Sequence, residues 1–129
     1  MKTQNRSALF YWIPLLAYCA LIFYLSSLTF TGSYPLPGDK TIHFVEYSVL
    51  GFFVAALLKH YFQLRIVFII LFATLLGGFY GVSDEFHQSF VPGRESSVLD
   101  ALADVAGSFM GASLYVFYRR LQKSPTPNS

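Results

Sequence analysis

The chain has 129 residues, 54% of them hydrophobic and only 12% charged, and its formal net charge is +2. A soluble domain of this size carries about twice that charge fraction, and whole apolar runs here lack the polar outer face that a soluble helical bundle needs. The single Cys19 excludes an intrachain disulfide and a cysteine metal centre, and no basic patch with interleaved aromatics points to nucleic acid.

Residues 1–7 form a short basic leader with Lys2 and Arg6. The apolar run 8–30 is longer than a signal-peptide core and has no evident small-residue cleavage site after it, so it is expected to be a retained helix. Pro14 can kink it without ending it, because neighbouring helices absorb such a break in a membrane. Ser26 and Ser27, near its far end, can bond to carbonyls one turn back. Residues 31–40 are rich in turn formers. The second span, 41–58, opens with His43, Glu46 and Tyr47 before turning apolar, and 59–65 is a short basic turn. In the third span, 66–83, Gly77 and Gly81 have the small-xxx-small spacing that lets helix backbones approach closely.

Residues 84–104 then hold five of the seven acids, together with His87 and Arg94. They predict a polar insert between the third and fourth helices. Within it, Pro92-Gly93 forces a turn, and Phe90 and Val91 can dip into the interfacial layer while Arg94 stays at headgroup level. Ser97 followed by Asp100 fits a capping box loosely. The fourth span covers 98–118. Its Ala103, Gly107 and Gly111 lie four apart, a second close-packing stripe expected to meet the third helix. The tail, 119–129, has no feature that orders it.

The fold class is therefore all-α: a polytopic membrane protein of four transmembrane helices forming a single domain. With four spans, the leader, the 59–65 turn and the tail share one side and carry Lys2, Arg6, Lys59, Arg65, Arg119, Arg120 and Lys123. All seven acids fall on the other side with Lys40 and Arg94. The excess of Lys and Arg on cytoplasmic loops puts both termini in the cytoplasm and the polar cluster on the extracytoplasmic face.

Acids at the depth of Glu46 and Asp104 are costly against lipid, so they should face the bundle interior, a water pocket or each other. Asp100 and Asp104 are an i,i+4 pair of like charge, which calls for something positive between them: Arg94, Lys40 or a bound cation. His43 or His87 can act as a general base with an acid orienting the ring, and Arg94 is suited to gripping a phosphate or carboxylate. The nitrogen and oxygen donors on this face leave a divalent cation open, although no spacing is diagnostic of one.

Two blocks resemble the VanZ-like family of small bacterial membrane proteins. The first is DKTIHFVEYSVLG, where Asp39, Lys40, His43, Tyr47 and Gly51 fit the pattern. The second runs from Asp84 to Gly111, with Asp84, Glu85, Gln88, Phe90, Pro92, Arg94, Asp100, Gly107 and Gly111. One departure is Asp104, where the family commonly has Asn. The resemblance implies a link to the cell envelope, since the family's namesake is associated with low-level resistance to the glycopeptide teicoplanin, and glycopeptides act at the outer membrane surface. Residues and resemblance together nominate His43, Glu85, His87 and Asp104 as catalytic. Asp39, Lys40, Tyr47, Asp84, Gln88, Arg94 and Asp100 are nominated for substrate binding, and Gly51, Pro92, Gly107 and Gly111 as structural. The expected partner is a membrane lipid or lipid-linked envelope precursor, bound or modified at the outer face. A proton- or cation-coupled transporter, a lipid-moving protein and a non-catalytic accessory subunit are the alternatives.

Overall fold

The computed structural model describes residues 2–29 and 39–123, and the side chains of 8–29 and 40–123. Four helices account for nearly all of them: α1 (Lys2–Ser27), α2 (Asp39–Tyr61), α3 (Ile66–Gln88) and α4 (Val98–Lys123). Each contains a window long and apolar enough to cross a bilayer, which takes about 20 residues at about 1.5 Å of rise each. There is no strand among the described residues. Most of the turn-rich stretch 31–40 and the last six residues of the tail lie outside the described residues, as does the Asp39 side chain.

For α2, α3 and α4, hydropathy marks where the span begins better than where it ends. The third helix does not stop at Ser83 but continues to Gln88, so Asp84, Glu85, His87 and Gln88 sit on its last turns. Asp100 and Asp104 belong to the opening turns of α4. Only 89–97 is non-helical, so 84–104 is two helix ends and a connector rather than one insert. The helix survives its polar residues because neighbouring helices supply partners for them. Within the connector, the Arg94 N–H donates to the Val91 carbonyl at 3.2 Å, and Gly93 takes φ 80°. Proline then positive-φ glycine at the turn's centre is the pattern of a type II turn, a conformation costly for any residue with a Cβ.

Lipid tails are as apolar as the helices, so burial of apolar surface does not drive these helices together; close packing and hydrogen bonds do. The tightest pair is α2 with α4. Gly107 lies on the Phe44 carbonyl, Gly111 on the Ser48 carbonyl, and Gly51 on the backbone of Ser108, each with no room for a Cβ. The Gly107–Gly111 stripe thus meets the second helix, not the third. The glycines of α3 face α4 instead: Gly77 receives the Ser108 side chain and Gly81 that of Asp104. Helical period fixes the face a residue occupies on its own helix, but not which neighbour that face meets.

α1 packs against α2 and α3 and makes no contact with α4 among the described residues. Tyrosines tie it down: Tyr18 Oη donates to the Glu46 carbonyl at 2.9 Å and Tyr80 Oη to the Cys19 carbonyl at 2.7 Å. Near the other end of α1, Trp12 Nε1 donates to Tyr61 Oη at 2.9 Å, and Tyr11 stacks on His60. α1 runs through Pro14 unbroken. Buried Ile22, Leu50, Ile69 and Ala73 fill the centre, while large side chains such as Phe79, Phe86 and Phe90 project outward.

Candidate functional site

The start of α2, the end of α3 and the start of α4 converge at one end of the bundle, and each contributes one group to a buried cluster. His43, Glu85 and Asp104 are 4%, 5% and 0% exposed. His43 Nδ1 lies 2.9 Å from Asp104 Oδ1 and 3.8 Å from Glu85 Oε1. Gly81 makes this possible, because Asp104 occupies the space where a Cβ would stand, 2.7 Å from Oδ2. Asp104 Oδ2 itself is buried with no hydrogen-bond partner among the described residues.

Glu85 has a second role. Its Oε2 accepts the Ser97 backbone N–H at 2.8 Å, while Ser97 Oγ accepts the Leu99 N–H at 3.2 Å. This is the reciprocal arrangement of a capping box, with the acid supplied by a different helix rather than by Asp100. Asp100 pairs with Lys40 at 3.9 Å instead. Each acid of α4 thus has a basic side chain beside it: Lys40 by Asp100 and His43 by Asp104. Because Lys40 is 58% exposed, its ion pair contributes little to stability.

Beside the cluster is a cavity of about 150 Å³ between α1, α2, α3 and the connector. His43, Glu46, Asp84, Gln88, Arg94 and Ser26 give it a polar wall, and Ile22, Leu25, Leu28 and Ile42 an apolar one. Gln88 Nε2 donates to Asp84 Oδ2 at 3.0 Å, which holds the acid in place. Ser27 bonds back to the Phe23 carbonyl, but Ser26 does not: its Oγ is buried in the cavity wall without a hydrogen-bond partner among the described residues.

Other nominated residues stand apart. His87 stacks on Phe23 at 4.6 Å and its Nε2 is 3.0 Å from Ser27 Oγ, so it faces α1 and not the His43 cluster. Tyr47 is fully buried beside Tyr80, with its hydroxyl lacking a hydrogen-bond partner among the described residues, and is not part of the cavity wall. Pro92 shapes the turn that precedes Arg94, whereas Gly51, Gly107 and Gly111 set the spacing of α2 and α4. Sequence reasoning did not anticipate Ser26 in the cavity or Ser108 against Gly77. Matched steps of four, Gly77 and Gly81 opposite Asp104 and Ser108, carried that second signal.

Chemically, a carboxylate on Nδ1 holds an imidazole in one tautomer and orientation, which makes the other ring nitrogen the basic one. The same three side chains offer one nitrogen and two oxygen donors within 4.8 Å of one another. Such a set suits zinc or a harder divalent cation once the side chains draw in to bonding distance, about 2.0–2.2 Å from the ion. Glu85 Oε1 and Asp104 Oδ2, buried and without hydrogen-bond partners among the described residues, fit that role.

A family model described as VanZ/LLP1 matches residues 2–119. No curated protein and no solved structure matches the chain.

Proposed function

Since this chain belongs to the VanZ/LLP1 family and has the four apolar helices of a multi-pass membrane protein, we propose that its cavity binds and modifies a lipid headgroup or lipid-linked envelope component. The observation that carries this is the cavity's mixed lining, apolar at Ile22, Leu25, Leu28 and Ile42 and polar at the six other residues, with His43 shared between it and the buried Glu85–Asp104 pair. An amphiphile whose headgroup meets its chain at the membrane surface has the matching division. Arg94 would grip the headgroup's phosphate or carboxylate. His43, held by Asp104, would take a proton from a water attacking the phosphorus of the headgroup's phosphate link and return it to the departing oxygen as that P–O bond breaks. The charge rule puts this end outside the cytoplasm, where envelope precursors are assembled and where glycopeptides bind, so antibiotic tolerance is a phenotype to measure.

The test is turnover of a polyprenyl-pyrophosphate-linked saccharide by the reconstituted protein, followed by mass spectrometry. His43→Ala and Arg94→Ala should leave folded protein in the membrane and lower turnover by about a hundredfold or more, the range expected for losing a positioned base. If both variants turn over as fast as the parent, or lose activity only in step with melting temperature, the proposal fails. A second reading rests on the donor geometry of His43, Glu85 and Asp104: that they hold a divalent cation which polarises the headgroup. Metal analysis of the same preparations decides it, because Glu85→Gln should then lower bound metal along with turnover.

A further inference from the structure

At the opposite end of the bundle, the ends of α2 and α4 and the start of α3 enclose a second cavity, of about 90 Å³. Lys59, Arg119, Arg120 and Lys123 line it, against an apolar floor that includes Ile69 and Val116. None of the four forms an ion pair among the described residues, and no acid lines the cavity. Arg119 Nε is buried and has no hydrogen-bond partner among the described residues. A general excess of positive charge needs only exposed side chains at the membrane surface. A guanidinium N–H withdrawn from water beside three further cations calls for an anionic acceptor, because a buried donor left without one is destabilising.

We propose that this cavity binds a phosphate group, presented by an anionic phospholipid headgroup or as the free ion. Phosphate offers several acceptor oxygens in a tetrahedral array, which suits cations arriving from two helices and the planar fork of an arginine. The apolar floor beside them suits the first carbons of a lipid.

Native mass spectrometry of the full chain, released from detergent in the presence of phosphatidylglycerol or phosphatidylcholine, tests this. The expected result is retention of phosphatidylglycerol over phosphatidylcholine by about tenfold, the scale of a charge-assisted hydrogen bond. Arg119→Gln should abolish that preference. Arg119→Lys keeps the charge but lacks Nε–H, and should also weaken it; this variant carries the test if the glutamine variant does not fold. Arg65→Gln removes a charge from the same end but outside the cavity, and should leave the preference intact. Inorganic phosphate separates the two sources: if it raises the melting temperature and displaces the lipid, the free ion is bound; if the lipid stays, the headgroup is. Equal retention of both lipids with no stabilisation by phosphate overturns the proposal, as does an Arg65→Gln loss equal to that of Arg119→Gln.

Discussion

Ser97 shows how much one residue's setting can differ from its local sequence. Its hydroxyl caps α4, and its own N–H is taken by Glu85 from α3. Ser97→Ala should therefore lower stability by about 1 kcal/mol, the usual cost of a lost N-cap. It leaves the N–H bond to Glu85 in place, so turnover should stay near the parent's; thermal unfolding and activity on one preparation check both halves. Asp104→Asn is the complementary case. With its oxygen turned to Nδ1 the amide keeps the tautomer, and Glu85 remains nearby to balance a charged ring. We expect a loss of about tenfold in turnover, milder than that of His43→Ala. A loss as complete as that of His43→Ala would show that the Asp104 charge itself is required.

Among the elements, α3 and α4 depend on glycines in two different ways. Gly111 and Gly107 bring backbone against backbone, and a side chain there must push α2 and α4 apart. Gly111→Val should cost about 1–3 kcal/mol, the range for overpacking a well-filled contact. Gly81 makes room for a functional group instead. In Gly81→Ala the added Cβ would meet the Asp104 carboxylate, 2.7 Å from Oδ2. The carboxylate must shift away from His43, so activity should fall more steeply than stability. If Gly81→Ala and Gly111→Val showed the same ratio of activity to melting-temperature loss, the distinction between these glycines would not hold. The stripes were visible as spacings in the sequence. Their partners were not, since each depends on how far two helices slide and turn against one another.

For the whole molecule, the separation of charge along the bundle axis is the dominant feature. The described acids gather where α3 ends and α4 begins, and Lys59, Arg119, Arg120 and Lys123 gather at the other end. The charge rule predicts that the first end faces outward. In a Cys19→Ala background, Glu95→Cys should react with a membrane-impermeant thiol reagent on intact cells, and Gln63→Cys only after permeabilisation. The reverse pattern would put the acidic cavity in the cytosol and remove envelope precursors as its substrate. Peripheral α1, joined to α2 and α3 alone among the described residues, closes one side of that cavity.

The amino-acid order by itself determined the number of spans, their all-helical character and the gathering of acids at one end and bases at the other. Those properties add up along the chain, residue by residue, and need no knowledge of neighbours. Only the tertiary structure decided that His43 meets Asp104 and Glu85 while His87 turns to α1, and that Gly107 meets α2. It also decided that α3 continues through its acids to Gln88. Each of these depends on the relative rotation and offset of separate helices. A helical repeat places a side chain on its own cylinder; packing against the other cylinders settles what it touches.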